Sequence, residues 1–302
     1  MVGAKNRYPE ADLHCHTTAS DGVLTPWELV KAAAECGLTS IGITDHDTTS
    51  GWDEAEKAGI RYGVDILRGI ELNTDHSGTE VHILGYEMDP KTLVLQEKLR
   101  ILQDARHHRV FTILEKLKSQ GIEIQRAEIE NIARGESIGR PHIAQALMNK
   151  GIVKTIKEAF DRYIGLGAPA YVARYKLSPE EGIALVRAAG GVAVLAHPGV
   201  HGLSESIPQW VELGLQGVEV SHSEHSIKDE KHYRELAEHY NLIMTGGSDF
   251  HGEARKPGIH LGDWGTSYEV VEKIRSIARE HCFQAGKNLL SNKASDGETP
   301  LK

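Results

Sequence analysis

The sequence lacks the features that mark several large classes of protein. Its 302 residues contain only three cysteines, Cys15, Cys36 and Cys282, and this odd, small number does not suggest a disulfide framework. The first ten residues are polar and include no apolar segment of the kind found in secretory signals. We therefore predict a protein of a reducing compartment, the cytoplasm.

Long apolar runs and an excess of basic charge are also lacking. No stretch approaches the roughly 18 apolar residues that a membrane span needs, so we expect no membrane segment. Lysine and arginine number 34 against 43 acidic residues, a net charge of −9. This net negative charge argues against a protein that binds long nucleic acid over its whole surface, although it allows a local cationic pocket. There is also no nucleophile elbow, no Walker A loop and no Rossmann fingerprint.

Short apolar runs rich in β-branched residues alternate with longer helical patterns over most of the chain. Thr25 and Ser178 each precede a proline, as helix N-caps often do. The alternation of strands and helices predicts an α/β fold with a parallel sheet or barrel. The predicted strands are 11–14, 40–44, 65–70, 80–85, 191–196, 217–220 and 242–245.

Strand signals stop between residues 93 and 173, where helical patterns follow one another. We interpret this stretch as a helical insertion that interrupts the barrel and caps its site. The barrel is then discontinuous, with parts 1–92 and 174–285. Residues 286–302 are rich in Ser, Lys, Asp and Gly, and we expect them to form a disordered tail.

Histidine is abundant, with 17 copies, and several histidines follow predicted strands. His14 and His16 lie on one face of the first strand, because side chains alternate along a strand, and Asp21 follows a short turn later. Barrel enzymes build their sites at the carboxyl ends of strands. Such placements around one sheet indicate metal ligands at a barrel mouth. The other candidates at or near strand ends are His46, Glu71, His82, His197, Asp249 and His251.

The ligand types indicate the kind of metal site. Imidazole and carboxylate together suit Zn, Mn and Fe. Nine candidate ligands are too many for one ion but suit two or three divalent ions. Such ions would outweigh the charge of the three carboxylates and attract a phosphate. Clustered metals also activate water, so the site needs no protein nucleophile.

These motifs resemble the PHP (polymerase and histidinol phosphatase) superfamily of metallophosphoesterases. The resemblance covers roughly residues 10–285. The helical insertion carries Gly139-Arg140-Pro141-His142, which is similar to the branch of 3′,5′-nucleoside bisphosphate phosphatases and 5′→3′ exoribonucleases. The matching motifs are Asp12-Leu-His14-Cys-His16, Asp21, Thr44-Asp-His46-Asp, Glu71, His82, Ala196-His197-Pro, Glu219-Val with His225, and Gly247-Ser-Asp249-Phe-His251.

The resemblance implies a distorted (β/α)7 TIM-like barrel and a trinuclear site. One ion is held by His14, His16, Glu71 and Asp249; a second by Asp21, His46 and His251; and a third by Glu71, as a bridge, with His82 and His197. Asp45 and Asp47 flank His46, and we expect them to orient metal-bound histidines or form the turn.

The resemblance further implies a metal-dependent phosphoric ester hydrolase that acts by attack of metal-bound hydroxide on phosphorus. The favoured substrate is a nucleoside 3′,5′-bisphosphate, which yields the 5′-monophosphate. A related activity removes nucleotides from short 5′-phosphorylated oligonucleotides, RNA or DNA. The predicted substrate contacts are Arg140, His142, Arg174, Lys176 and His225, and His225, preferred over His222, is also a candidate proton donor.

Two alternatives stay open. One is a phosphatase for another small phosphomonoester, such as histidinol phosphate, against which the insertion and its Gly-Arg-Pro-His segment argue. The other is a non-catalytic PHP domain that stabilises a partner protein, against which the nine intact ligand positions argue. We expect no obligate protein partner.

Overall fold

The computed structural model describes residues 9–133, 138–173 and 175–295, with the backbone alone for 285–295. Seven strands form one sheet in which neighbours in the chain are neighbours in space. They are β1 (Ala11–Cys15), β2 (Ser40–Ile43), β3 (Asp65–His76), β4 (Thr79–Tyr86), β5 (Val192–Leu195), β6 (Gly217–His222) and β7 (Ile243–Gly247).

The two edges of the sheet meet, so that the sheet is a nearly closed barrel. The backbone N–H of His16, just after β1, donates to the carbonyl of Phe250, just after β7, at 2.9 Å. Cys15 and Phe250 form a parallel bridge at the same place. The predicted (β/α)7 barrel is therefore confirmed.

Strand β4 departs from the parallel arrangement that the alternation predicts. It pairs antiparallel with both β3 and β5, whereas the other neighbours pair parallel. The reason is local: β3 and β4 are joined by a tight turn at Ser77-Gly78, where both residues have positive φ, and no helix comes between them. The reversal places the first half of β4, with His82, at the edge where the parallel strands end.

Within the described residues, ten α-helices surround the sheet or lie in the segment between β4 and α7. Thr25 and Ser178 cap α1 and α7, and each forms a capping box with the glutamate three residues later, as their sequences predict. The helices are α1 (Pro26–Glu35), α2 (Trp52–Tyr62), α3 (Leu93–Ser119), α4 (Arg126–Ala133), α5 (Arg140–Asn149), α6 (Ile156–Ala159), α7 (Pro179–Ala188), α8 (Ile207–Glu212), α9 (Ile227–His239) and α10 (Tyr268–Ser295).

The segment between β4 and α7 is helical and has an apolar core of its own. Helix α3 contributes to two cores: Leu95, Leu99 and Leu102 pack with the barrel, whereas Ile113 and Leu117 pack with α4, α5 and α6. A single turn of π-helix, Phe160–Ile164, follows α6. One continuous helix thus fixes this segment to the barrel.

Helix α10 crosses the end of the barrel opposite the mouth. Arg275 donates to the carbonyl of Ile66 at 2.7 Å and to the carboxylate of Asp65 at the start of β3, and His281 lies against the backbone before β5. The sequence pattern does not predict this helix. It also continues to Ser295, past Gly286, where we expect the tail to begin, because residues 284–295 include helix formers such as Lys and Leu. Residues 296–302 lie outside the described residues.

None of the described helices has both the length and the apolar character needed to cross a membrane.

We predict that Arg275→Ala lowers the free energy of unfolding by about 1–3 kcal/mol, because Asp65 and the Ile66 carbonyl lose a charged donor. Burial raises the pKa of Asp65, but Arg275 and Tyr268 lower it more, so the folded pKa lies below the unfolded one. The contribution is present above the unfolded value of about 4 and is lost as the pH falls through the folded value. Urea titrations at pH 7 and pH 3 measure both effects.

Arg279→Ala, on the exposed side of α10, is the matched control. An equal loss of stability in both variants, or a loss that does not shrink in acid, would contradict this role of the ion pair.

Candidate metal centre

The strand ends bring all nine predicted ligands together at the barrel mouth. Within each of three groups, one possible ligand atom from every residue lies within 4.8 Å of the others. Two groups have the predicted membership, and the group around His46 gains His16, which two groups share. The groups are His14, His16, Glu71 and Asp249; His16, Asp21, His46 and His251; and Glu71, His82 and His197.

Several buried ligand atoms in this cluster make no hydrogen bond of suitable geometry within the described residues, although some of them lie close to one another. An unpaired buried polar atom costs about 1–3 kcal/mol, so an accumulation of them at one place requires an explanation. Divalent cations bound by these nitrogen and oxygen atoms would satisfy them, and the donor set therefore fits a metal centre. The atoms are Nε2 of His14, both ring nitrogens of His16, Oδ1 of Asp21, Oε2 of Glu71, Nδ1 of His197 and Oδ1 of Asp249.

Glu71 lies at the centre of the cluster and is 1% exposed. Its Oε1 is 2.6 Å from Nδ1 of His82 and 3.1 Å from Nε2 of His197, whereas its Oε2 is 3.0 Å from Nδ1 of His46. Burial raises the pKa of Glu71, but the surrounding histidines hold it well below its usual range. The two oxygens have different histidine neighbours, so this one carboxylate would be able to bind two cations.

The carboxylates create a strongly negative potential at the mouth. Burial lowers the pKa of His16, yet Asp249 and Glu71 outweigh it and raise this pKa to about 10. His82 behaves similarly next to Glu71, with a pKa of about 9, whereas burial lowers the pKa of His46 to about 3. The cluster therefore favours cations, whether protons or metal ions.

The backbone is strained where it presents these ligands. His197 and Asp249 have φ values of 28° and 55°, in the left-handed region that non-glycine residues rarely adopt. Asp12 holds the strained loop before Asp249, because its carboxylate accepts from the backbone N–H of Ser248 at 2.9 Å and from the Ser248 hydroxyl at 2.6 Å. A Cβ on Gly247 would lie 2.4 Å from the Cβ of His14, so only glycine fits there.

Glu219 is a site residue to which sequence reasoning assigned no role. It is fully buried, accepts from Nδ1–H of His14 at 3.2 Å and accepts from the backbone N–H of His197 at 2.9 Å. Burial raises the pKa of Glu219, but His14 and His222 bring it down to about 2, so the group is a carboxylate. Carboxylates that hold the second nitrogen of a metal-bound histidine fix its orientation. The signal available in the sequence was the Glu219-Val motif within the predicted strand 217–220.

The structure brings His222, and not His225, to the cluster. A register shift between Glu219 and Ser221 turns both Glu219 and His222 inward, although strict alternation would place them on opposite faces. The Nδ1–H of His225 donates to the carbonyl of Val220 at 2.9 Å, and its Nε2 accepts from the backbone N–H of Gly199 at 3.0 Å. Both nitrogens of His225 are thus used by the backbone, which leaves the predicted proton donor without a free proton.

Asp45 and Asp47 do not join the ligand groups. Asp45 accepts from the backbone N–H and the hydroxyl of Thr17, both at 2.7 Å, and so shapes the loop after β1. Asp47 accepts from Asn73 and from Arg106 of α3, and the Asn73 side chain is 3.2 Å from Nδ1 of His46. Both aspartates therefore support the loops that carry ligands.

The predicted substrate contacts occupy different places. Arg140 faces the mouth at the start of α5, with its guanidinium carbon 5.1 Å from the Phe160 ring centre. His142 is buried and accepts from the backbone N–H of Gly139 at 3.0 Å, and burial lowers its pKa to about 4. Lys176 pairs with Asp75 near the far end of β3, outside the ligand cluster. Arg174 lies outside the described residues.

Two cavities flank the ligand groups. The insertion-side cavity is lined by Asp21, His46 and His82 from the barrel and by Arg106, Arg109, Arg140 and Phe160 from the helical segment. The barrel-side cavity is lined by Glu71, His197, Asp249 and Lys256, and the described residues around it all belong to the barrel. His46, Glu80 and His82 border both cavities.

Comparisons with known proteins give a consistent result. Residues 12–173 match the model of the PHP domain family. A 3′,5′-nucleoside bisphosphate phosphatase of Chromobacterium violaceum is 33% identical over 89% of this chain and 95% of its own. A 5′-3′ exoribonuclease of Haemophilus influenzae is 34% identical over 80% of this chain and 89% of its own. A structure from Bifidobacterium adolescentis, assigned as a metal-dependent phosphoesterase, is 34% identical with a TM-score of 0.83, over 89% and 96% of the two chains.

We predict that Glu71→Gln abolishes tight metal binding, since a neutral amide cannot bridge two cations. The wild-type protein should gain about 2.7 kcal/mol of stability at a free metal concentration 100 times the dissociation constant, and the variant should gain almost none. Metal content by mass spectrometry and melting curves with and without Mn2+ measure this. Glu235→Gln, on the exposed face of α9, is the control. Unchanged metal content in Glu71→Gln would refute the bridging role.

We predict that Glu219→Gln weakens metal binding by about 10- to 100-fold. Both neighbours of this carboxylate donate hydrogen bonds, so an amide NH2 would face a donor. Competition titration with a chelating dye gives the affinity, and circular dichroism checks the fold. An affinity equal to that of the wild type would show that Glu219 does not orient His14.

Proposed function

The chain belongs to the PHP family and is a metal-dependent phosphoesterase, and from this we propose that it removes the 3′ phosphate of nucleoside 3′,5′-bisphosphates. The nine ligand residues would hold two or three divalent ions, Mn, Fe or Zn, in the three groups described above. Such ions supply an activated water and neutralise charge on the phosphate.

The observation that carries the substrate proposal is the insertion-side cavity. Arg140 lines this cavity together with His46 and His82, whereas Arg106 is paired with Asp47, so Arg140 offers positive charge beside the ligand groups. Arg140 makes no hydrogen bond to a carboxylate among the described residues and stacks over Phe160. A guanidinium that is not paired with a carboxylate can bind a phosphate through two parallel hydrogen bonds. A substrate with a second phosphate, on the far side of its sugar, fits this arrangement.

The chain's own residues then have separate tasks. Arg140 would bind the 5′ phosphate, and Phe160 would hold the guanidinium plane in place. His142 is neutral and bound to Gly139, so we assign it to docking α5 rather than to the substrate. We also set aside His225 as proton donor, because both its nitrogens bind backbone groups.

The relatives support the same substrate class. Two of them act, by their names, on nucleoside bisphosphates and on the 5′ end of RNA. Both substrates carry a 5′ phosphate and are cut at a 3′ oxygen, so one site can serve both. We therefore propose short 5′-phosphorylated oligonucleotides as further substrates. The three cysteines form no disulfide, which accords with the cytoplasmic location we propose.

We predict metal-dependent release of phosphate from adenosine 3′,5′-bisphosphate by chelator-stripped protein supplied with Mn2+, and no release by His14→Ala. Histidinol phosphate serves as the competing substrate. No release from the bisphosphate by a protein that holds its metals would refute the substrate assignment, and turnover of histidinol phosphate would replace it.

We predict that Arg140→Ala raises the KM for adenosine 3′,5′-bisphosphate by about 10- to 100-fold, the value of a hydrogen bond between charged groups. Adenosine 3′-monophosphate lacks the 5′ phosphate, so its kcat/KM should change little. Arg100→Ala, on the exposed face of α3, is the control. An equal effect on both substrates would show that Arg140 does not bind the 5′ phosphate.

A further inference from the structure

The barrel-side cavity contains one feature that the ligand set does not explain, the side chain of Lys256. This lysine is the ninth residue after the end of β7, and its ammonium contacts Oδ2 of Asp249. The other oxygen of Asp249, Oδ1, lies 3.1 Å from Nε2 of His16, inside a ligand group. Lys256 is thus next to the place where the ligands would hold a phosphate, in the cavity whose described lining includes no residue of the helical segment.

Lys256 is the one lysine or arginine among the described residues that line this cavity. Apart from Val200, the other described residues that line the cavity are acidic or imidazole groups, including Glu224 at 3.9 Å. An ammonium has three N–H donors and no acceptor, so the contact with Asp249 leaves donors for another anion. The side chain is 31% exposed, which keeps it open to the cavity.

In the proposed binding mode, the two parts of a substrate on either side of the bond that is cut lie in different cavities. With the nucleoside and its 5′ phosphate in the insertion-side cavity, the phosphoryl group under attack has its non-bridging oxygens toward the barrel-side cavity. A terminal phosphate is a dianion, and it places only non-bridging oxygens at this position. A phosphodiester has one of these oxygens esterified to the next nucleotide, so it carries less charge and more bulk at the same position.

We propose that Lys256 binds the non-bridging oxygens of a terminal phosphate and so makes the enzyme prefer phosphomonoesters over phosphodiesters. The inference rests on the proposed function for the direction in which the substrate lies. A point charge attracts a dianion more strongly than a monoanion at equal distance, and the partly buried setting increases the difference. Lys256 thereby sets the balance between phosphatase and exonuclease activity at one metal centre.

The test compares two ester pairs in Lys256→Met, Lys256→Arg and the control Lys231→Met, whose lysine is exposed on α9. The nucleotide pair is adenosine 3′,5′-bisphosphate and a 5′-phosphorylated diadenylate; the generic pair is 4-nitrophenyl phosphate and its bis ester. In Lys256→Met, kcat/KM for the monoesters should fall by about 10- to 100-fold and that for the diesters by less than about threefold. Lys256→Arg should retain most of the preference, because it keeps the charge.

An equal loss for monoesters and diesters overturns the proposal, because it would show that Lys256 only positions Asp249. A fall in metal content in Lys256→Met, with activity restored by excess Mn2+, overturns it in the same way. Failure of the substrate assignment looks different: the wild type would then cleave the nitrophenyl esters and not the nucleotides. Selectivity within the nitrophenyl pair still decides the role of Lys256 in that case.

Discussion

The contact on which the rest of the structure depends is that between the buried carboxylate of Glu71 and the histidines around it. Its two oxygens lie within 3.2 Å of nitrogen atoms from four different histidines, which come from β4 and the loops after β1, β2 and β5. Such a group is stable in a protein interior only if it is paired with opposite charge or coordinates a metal ion. The barrel brings the histidines to Glu71 because several strands end at one place. The strain at His197 and Asp249 is tolerated because hydrogen bonds hold the loops that carry these two residues.

Buried carboxylates hold these ligand-bearing loops by accepting hydrogen bonds. Asp12, Asp45 and Glu219 each accept from backbone or side-chain donors next to a ligand and face no open cavity among the described residues. Removal of such a group leaves the ligand in place but free to turn. Catalysis by positioned ligands loses rate from small displacements, so these residues contribute to the reaction although they would not touch the ions.

Much of this was predictable from the sequence, for physical reasons that are local. Alternation along β1 places His14 and His16 on one face, and Thr25 and Ser178 mark their helices by capping. The rest depends on tertiary contacts. The inward turn of both Glu219 and His222 results from a shift in strand register, and the placement of His82 results from the reversal of β4. Lys256 reaches Asp249 through a long side chain on an irregular loop, which no periodic pattern describes.

Helix α3 belongs to both apolar cores, and this has a consequence for how the enzyme's range can change. Each residue added to a helix rotates the later turns of that helix by about 100° and advances them by about 1.5 Å. An insertion or deletion between Leu102 and Arg106 would therefore turn a different set of side chains toward the ligand groups, and the packing of Leu95, Leu99 and Leu102 against the barrel would stay the same. Substrate range can thus evolve by a change of length in one helix, while the chemistry at the strand ends stays fixed.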